Sequence, residues 1–424
     1  MNKVTKSTNE IMYFETKYAK INRFFISFFV LTLALIFSSA IVPSINSLIF
    51  GTSSSFGTQQ ILIIQLGLSI IMLFTNHIDL KRFMYVSLMV IAIFIISLIG
   101  LKMGVPFDHG LIVGFMSLGF SMFTIFYFKK TIIINLIILM GIVESLIGLI
   151  QHFFNITIFS INTTKAEVYH SIFFSHGSSA SAISKLGGVA NIRAFGMMDS
   201  GLSLGIFCLF CICLILCTNY TKFKSKVYML FFLLTIYSTI TRNVYFATVL
   251  FAIFFLNRKK LFEHKQVINI FYIVFLALMA CAPLLQDLIF FLTQLAENIS
   301  IQTFGGRFSF LSIGISEIPS KMAFLFGSNI VPNEYVPLDN SFIADMLRRG
   351  LAFSLLENIM LYVCFYWCLK KVSFKDFSMV LFMSLYPFIG FSNNVTYSFL
   401  ILFSIISIFI NNKKSLTKVT EVFE

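Results

Sequence analysis

The chain has 424 residues and a formal net charge of +13, and 58% of its residues are hydrophobic while only 12% are charged. Its mean hydropathy of +0.90 excludes a soluble globular protein, and the lack of short alternating apolar segments excludes a transmembrane barrel. Many stretches of roughly 17–25 residues are nearly free of charge, which is the length that crosses a hydrocarbon layer of roughly 30 Å. The sequence therefore predicts an all-α polytopic membrane protein.

About twelve segments have the length and composition of membrane spans. They form a predicted transmembrane domain over 24–411, which follows an N-terminal segment, 1–23, and precedes a C-terminal tail, 412–424. The predicted spans are 24–43, 58–75, 83–101, 110–128, 132–153, 200–218, 226–241, 243–256, 267–284, 350–369, 376–391 and 396–411.

The positive charge follows the predicted topology. If the N-terminus lies in the cytoplasm, 22 of the 31 basic residues fall in segments on the cytoplasmic side, as the positive-inside rule requires. Both termini are therefore predicted to be cytoplasmic. In a soluble protein this charge would suggest a nucleic-acid partner, but here the topology explains it and no nucleic acid is expected.

Cysteine and histidine give no sign of a metal site. The seven cysteines all fall in hydrophobic runs, so they are predicted to pack as small apolar residues and to form no disulfide. His170 and His176 lie near Glu167, but their spacing fits no recognised metal-binding pattern. Neither a metal nor another cofactor is expected.

Two long segments are predicted on the outer face. One is about 154–199 and is rich in Ser, Gly and His, and the other is about 285–349, between the ninth and tenth spans. Loops of this length usually carry function or are disordered. The second loop has apolar residues spaced so that it could lie along the membrane surface.

Nine basic residues do not fit the cytoplasmic pattern, and five of them are arginines near the outer ends of spans: Arg193, Arg242, Arg307, Arg348 and Arg349. Arg242 sits where two spans meet with almost no loop, a costly position unless the side chain is paired, faces water or reaches the headgroups. Guanidinium groups recognise phosphate oxygens by two-point hydrogen bonds. Several of them in one cavity would bind a diphosphate.

Acidic residues are candidates for activating an acceptor, since a carboxylate can accept the proton of an attacking hydroxyl. Asp339 is one candidate, although Asp339 or Asn340 would also serve as the N-cap of a helix that enters the tenth span. Asp345 has the spacing of a helical ion pair with Arg348 or Arg349. Glu144 and Glu357 lie within spans, where a carboxylate is a functional candidate, and the sequence leaves their roles open.

Four segments in order resemble the O-antigen ligase and Wzy-type polysaccharide polymerase family. The first two, Arg193-Ala-Phe-Gly196 and Thr239-Ile-Thr-Arg242, resemble the family's Arg-x-x-Gly and Thr-x-Ser-Arg elements, with Thr241 where Ser is usual. The third is Gly306-Arg307, a helical run and Leu325-Phe-Gly-Ser328, and the fourth is Asp339-Asn340 followed by Arg349-Gly350. Together they cover about residues 190–370.

The resemblance implies an all-helical membrane fold like that of C-class glycosyltransferases, with the large outer loop forming half of the active site. It implies a polyprenyl-diphosphate-linked glycan donor and transfer to a hydroxyl acceptor without a metal. Arg193, Arg242 and Arg307 would bind the diphosphate, and Arg242 would also take part in catalysis. Asp339 stands where many ligases have His, and the Asp-Asn form resembles polymerases of capsule or O-antigen.

The expected function is therefore to join lipid-linked oligosaccharide repeat units on the outer face of a bacterial cytoplasmic membrane. Asp339 would assist the acceptor, with Asn340, Arg348 and Arg349 in support. The expected partners are the lipid-linked oligosaccharide, membrane lipids, and the chain-length regulator and flippase of the same pathway. Two alternatives are a ligase of the same fold and, from another class, a flippase for the lipid-linked unit.

Overall fold

A computed structural model describes residues 21–27, 79–154, 160–162, 169–171, 183–186, 189–198, 200–218, 220–285, 320–327 and 340–412, together with the isolated positions 67, 70, 71, 73 and 318. The described part of the chain is mostly helical, as the sequence predicts.

The helices are α1 (Leu80–Lys102), α2 (His109–Phe123), α3 (Lys130–Phe154), α4 (Gly201–Cys217), α5 (Lys222–Ser238), α6 (Arg242–Leu256), α7 (Arg258–Glu263), α8 (Lys265–Ala280), α9 (Lys321–Phe326), α10 (Ser341–Arg349), α11 (Leu351–Lys371), α12 (Phe377–Met383), α13 (Tyr386–Gly390) and α14 (Thr396–Asn411). Short 3-10 turns lie at Ala282–Leu285 and Phe374–Asp376.

Short strands lie in the segment that the sequence analysis assigned to the first outer loop. They are β1 (Ser160–Asn162), β2 (Tyr169–Ser171), β3 (Ile183–Leu186) and β4 (Val189–Ile192). β1 pairs antiparallel with β2, and β3 pairs antiparallel with β4 so that Ile183 is opposite Ile192. Two small hairpins therefore precede the Arg193 segment.

Three described helices are long and apolar enough to cross a membrane: α1, α3 and α11. The shorter apolar helices are α2, α4, α6, α8 and α14. In α1 only 17% of the most apolar window is buried inside the protein, so its large apolar side chains face outward, as they would toward lipid. The helices thus have the character of a membrane protein.

The predicted spans match helices α1, α3 to α6, α8, α11 and α14 to within a few residues at each end. The predicted span 110–128 is longer than the observed helix, because α2 ends at Phe123. The Asn411 side chain donates to the carbonyls of Ser121 and Met122 at 2.6 and 3.1 Å, which satisfies two carbonyls of the last turn. The predicted spans 24–43 and 58–75 lie almost entirely outside the described residues.

The predicted span 376–391 is not one helix, because it divides into α12 and α13. Pro387 stands in the first turn of α13. Proline has no N–H to donate, and its ring clashes with the carbonyl four residues earlier. A helix therefore ends before it and a new one begins.

The chain forms two compact units. Of the described residues, the first unit takes those up to Phe83, Phe120–Thr248 and those from Ser404 onward, and the second takes Met84–Gly119 and Val249–Phe403. In the first unit α4 is buried along almost its whole length and packs against α3 and α5. A Cβ on Gly141 of α3 would lie 2.6 Å from Cys211 Sγ, so a small residue is needed for this close helix contact.

The second unit has an aromatic core, which accounts for part of the high phenylalanine content. Tyr272 of α8 stacks on Phe365 of α11, with ring centroids 4.3 Å apart. Tyr386 of α13 packs edge-on against Phe399 of α14 at 5.3 Å. Rings in these geometries add to the stabilisation that burial provides, and this core fixes α11, α13 and α14 around the polar groups described below.

Within each unit, loops that share a predicted face lie together. In the first unit the side chain of Asn412 bonds both backbone groups of Phe128, and both residues lie at predicted cytoplasmic ends. In the second unit Lys265 donates to the Val372 carbonyl at 3.5 Å, again between predicted cytoplasmic segments. Each contact joins two segments that the sequence analysis assigns to the same side of the membrane.

Candidate functional site

The Arg193 loop, residues 193–198, is held by a buried glutamine of α3. Gln151 Nε2 donates to the Gly196 carbonyl at 2.8 Å, and Gln151 Oε1 accepts from the N–H groups of Phe195 and Gly196 at 3.1 and 3.0 Å. Gln151 is fully buried. One amide side chain thus satisfies three backbone groups of the loop, which a buried segment without regular structure requires.

Glu144, which lies about two turns before Gln151 on α3, supports the same loop. Its Oε2 accepts from the Met197 N–H at 2.7 Å. Gly196 has φ of +62°, and a Cβ there would lie 2.4 Å from this same oxygen, so only glycine fits. The sequence left the role of Glu144 open. In the structure its carboxylate holds the loop at Gly196, the glycine of the Arg-x-x-Gly segment.

The Arg242 junction, residues 239–242, is the tight connection between α5 and α6. Ile240 has φ of +49°, which is a strained conformation for a β-branched residue. The hydroxyl of Thr239 donates to the Ile236 carbonyl at 2.7 Å, and that of Thr241 donates to the Thr239 carbonyl at 3.1 Å. The hydroxyls therefore close the turn and place Arg242 at the first position of α6.

The loop and the junction are in direct contact. The Ala194 N–H donates to the Ser238 carbonyl at 2.9 Å. A Cβ on Gly201, the first residue of α4, would lie 3.0 Å from the Ala194 carbonyl oxygen and 3.1 Å from that of Thr239. The N-terminus of α4 and the turn that starts α6 therefore meet at the Arg193 loop.

The charges in this region suit an anion. Arg193 is half-buried and interacts electrostatically with the Tyr245 side chain of α6, while Arg242 is exposed. Helix N-termini carry partial positive charge and unpaired N–H groups. The N-termini of α4 and α6 and the two arginine-bearing segments give this part of the first unit a positive character, although the Ser200 hydroxyl already accepts from the Ser203 N–H of α4 at 3.2 Å.

In the second unit, Asn340 caps α10. Its Oδ1 accepts from the Ile343 N–H at 3.0 Å, and its Nδ2 donates to the carbonyls of Met279 and Phe391 at 3.0 and 3.1 Å. Asn340 is fully buried. The expectation that Asp339 or Asn340 caps this helix is confirmed for Asn340, and Asp339 itself lies outside the described residues.

Gly327 and Gly350 belong to the third and fourth segments that resemble the polymerase family, and the backbone at one crosses closely over the backbone at the other. Gly327 ends α9 with φ of +96°, and Gly350 ends α10 with φ of +90°. A Cβ on Gly350 would lie 2.4 Å from the Leu325 carbonyl oxygen and 2.5 Å from the Gly327 nitrogen. This backbone crossing needs glycine on both sides, and it fixes the end of α10 where Arg348 and Arg349 lie.

Arg349 bridges two carboxylates. It pairs with Asp345, one turn earlier on α10, and with Asp108 Oδ2 at 2.7 Å. The predicted ion pair between Asp345 and Arg349 is therefore confirmed. Thr396 donates from its hydroxyl to Asp345 Oδ2 at 3.0 Å. Burial raises the pKa of the Asp345 carboxyl, against the opposing effects of Arg349 and of the Thr396 hydroxyl.

Asp108 and Arg349 lie on the wall of a small surface pocket. The rest of its lining is mostly apolar and includes Phe107, Phe326 and Phe353. The Arg349 guanidinium lies 5.4 Å from the centre of the Phe353 ring. The pocket thus combines apolar walls with one partly exposed carboxylate, and the charge of its arginine is already matched by two acids.

The described residues place the predicted site residues in two groups. Arg193 and Arg242 belong to neighbouring segments of the first unit, while Asn340, Arg348 and Arg349 belong to α10 and its end in the second unit. Arg348 is exposed. Arg307 and Asp339 lie outside the described residues.

Two functional candidates were missed in the sequence. Asp108 caps α2 by accepting from the Leu111 N–H at 3.1 Å while it also pairs with Arg349. The signal for Asp108 in the sequence is an acid in a short predicted outer loop after Pro106. Gln151 gave no signal, because a lone glutamine near a span end has no distinctive neighbours.

Comparison of the chain with protein-family models, with curated proteins and with solved structures yields no match.

Proposed function

We propose that this protein is a polysaccharide polymerase that joins polyprenyl-diphosphate-linked oligosaccharide repeat units on the outer face of a bacterial cytoplasmic membrane. The supporting observation is the backbone contact between the Arg193 loop and the Arg242 junction, in which Ala194 bonds Ser238 at 2.9 Å. Two of the four segments that resemble the polymerase family thereby form one anion-suited region. The three described helices that are able to span a membrane agree with a lipid-linked substrate.

In the proposed reaction, an acceptor hydroxyl attacks the sugar carbon that carries the diphosphate. The new C–O bond forms as the bond to the diphosphate breaks, the polyprenyl diphosphate leaves with the electron pair, and the hydroxyl proton passes to a base. Arg193, Arg242 and Arg307 are the proposed diphosphate binders, since paired guanidinium groups stabilise charge as it develops on the leaving group. Asp339 is the proposed base.

The proposed partners are the lipid-linked oligosaccharide, membrane lipids, and the chain-length regulator and flippase of the same pathway. Asn340, Arg348 and Arg349 support the site indirectly in this proposal, because Asn340 is fully bonded to backbone and Arg349 is shared between two carboxylates. They would position the α10 segment that follows Asp339.

The experiment is the length distribution of surface polysaccharide in cells that carry the wild type, Arg193→Ala, Arg242→Ala or Asp339→Ala at equal membrane levels. Arg258→Ala is the matched control, because Arg258 lies at the start of α7 in a predicted cytoplasmic loop. The proposal predicts that each of the three variants collapses the ladder toward a single exported repeat unit, while the control keeps it.

Three outcomes would overturn the proposal. Unchanged ladders in all three variants would remove the catalytic role of these residues. Loss of all surface glycan, with lipid-linked units trapped on the cytoplasmic side, would assign the protein to the flippase class. A ligase would be recognised if chain length stayed normal while glycan failed to reach its final acceptor.

A further inference from the structure

Glu357 is a buried acid whose oxygens receive no hydrogen bond. It lies in the second turn of α11 and is fully buried, and neither carboxyl oxygen has a hydrogen-bond partner in the described part of the chain. An ionised carboxylate without hydrogen bonds is strongly disfavoured in such a place. A carboxyl group that keeps its proton avoids that cost.

Helix α10 packs against α11 next to Glu357, where the Ser354 hydroxyl of α11 donates to the Phe342 carbonyl of α10 at 2.8 Å. Across this contact Asp345 acts on Glu357 as a like charge and Arg349 acts on it as an opposite charge. Asp345 is buried and already accepts from Arg349 and Thr396. A second negative charge beside it would have no counter-charge of its own.

We propose that Glu357 and Asp345 form a proton-binding site in the second unit, with one proton shared between the two carboxyl groups. The proton is the ligand, Glu357 is the group that carries it, and Asp345 accepts the resulting hydrogen bond. This site does not depend on the polymerase activity proposed above.

The charges around the pair balance with one proton bound. The groups that face it are Asp345, Arg348 and Arg349 on α10 and at its end, Asp108 before α2, and the neutral Tyr386 of α13. With Glu357 protonated, the two remaining carboxylates match the two guanidinium groups. Loss of the proton would leave one unmatched negative charge on the buried pair of Asp345 and Glu357.

Arg349 links the pair to the pocket. Its guanidinium contacts Asp345 on one side and Asp108 on the other, and the Asp108 side chain is 43% exposed. If a bound molecule separated Asp108 from Arg349, more of the arginine's charge would act on Asp345 and the pair would hold its proton less tightly. Occupancy of the pocket and proton binding are therefore coupled.

The test is infrared spectroscopy of the purified full-length protein in lipid nanodiscs, since a protonated carboxyl has a C=O stretch distinct from that of a carboxylate. At neutral pH we expect a protonated-carboxyl band in the wild type and its loss in Glu357→Gln. Glu144→Gln is the matched control, because Glu144 is also buried in a span but accepts a backbone hydrogen bond. That variant keeps the band.

A pH titration of the same band tests the pair and its link to the pocket. Asp345→Asn removes the like charge, so the band should disappear at a pH lower by about 1–3 units. Asp108→Asn should produce a smaller shift in the same direction, and asparagine still caps a helix. Asp79→Asn, which breaks an exposed pair with Arg82, should leave the titration unchanged.

The proposal fails if the wild type has no such band at neutral pH, or if the band persists in Glu357→Gln. If Glu357→Gln does not elute as a folded protein in gel filtration, Asp345→Asn decides, since a titration identical to that of the wild type removes the pair. An unshifted titration in Asp108→Asn removes the link to the pocket. None of these readouts requires glycan transfer, so the polymerase proposal stands or falls separately.

Discussion

Asp108 and Arg349 are joined by an ion pair of 2.7 Å although 241 residues separate them in the chain. The pair ties the loop before α2 to the end of α10, and Arg349 simultaneously pairs with Asp345. The two acids differ in exposure, because the Asp345 side chain is 4% exposed and the Asp108 side chain 43%. Leaving the buried Asp345 without Arg349 should therefore destabilise the protein more than losing the exposed carboxylate of Asp108.

Arg349→Gln should destabilise the protein far more than Asp108→Asn. Loss of the arginine leaves Asp345 buried without a counter-charge, which costs about 3–5 kcal/mol, whereas a partly exposed pair contributes about 0–1 kcal/mol. The measurement is the free energy of unfolding in detergent for both variants and the double variant. Equal costs, or a larger cost for Asp108→Asn, would contradict the bridging role of Arg349.

The crossing of Gly327 and Gly350 should tolerate no side chain. Both have φ near +90° with ψ near 160°, a region that only glycine populates readily, so alanine costs about 1–3 kcal/mol from the backbone alone. The clash with fixed backbone atoms adds to this. Gly327→Ala and Gly350→Ala should each lower the thermal midpoint in detergent.

Gly67→Ala is the control for both glycine variants, because Gly67 is helical and a Cβ there meets no atom within 4 Å. Alanine in an open helical position is neutral or stabilising by up to about 1 kcal/mol. If Gly350→Ala melted like Gly67→Ala, the close crossing of α9 and α10 would be wrong.

Hydrophobic runs were sufficient to predict most helices, since the need to bury backbone polar groups in lipid forces an apolar run of this length into a helix. The prediction was wrong for 376–391, where a run with the same apolar character is broken at Pro387. Average hydropathy does not register the loss of a single N–H, so it does not reveal the helix break that Pro387 causes.

The candidate site was predictable only where a residue had an unusual neighbourhood. Arg242 stood out as a charge in an apolar run, and the Asp345–Arg349 pair followed from helical spacing. The support that Gln151 gives to the Arg193 loop, and the pairing of Asp108 with Arg349, join residues 44 and 241 positions apart. Contacts of that kind arise from packing and leave no local pattern.

Gln151→Leu should release the Arg193 loop. The two side chains are similar in size, but leucine leaves two buried N–H groups and one carbonyl without partners, each costing about 1–3 kcal/mol. We expect a lower thermal midpoint and shorter surface glycan, although Arg193 itself is intact. Gln266→Leu, an exposed site on α8, is the control and should change neither. Normal glycan length in a destabilised Gln151→Leu would separate loop support from function.

Ile240→Asn tests whether the strained backbone at Ile240 is needed to position Arg242. Asparagine tolerates positive φ better than a β-branched residue does, and the left-handed conformation costs roughly 1–2 kcal/mol for ordinary residues. Because Ile240 is only half-buried, the variant should be at least as stable as the wild type. Ile236→Asn, four residues earlier at a buried helical position, should instead be destabilised, since it buries an amide among apolar groups.

The glycan ladder then distinguishes two roles for the strained turn. If Ile240 holds Arg242 in its working position, Ile240→Asn should shorten the ladder without loss of thermal stability, and adding Arg242→Ala should shorten it little further, since the two changes remove the same interaction. If the turn only connects α5 and α6, Ile240→Asn should keep a full ladder. Destabilisation of Ile240→Asn to the level of Ile236→Asn would show that packing, and not backbone conformation, determines the residue at this position.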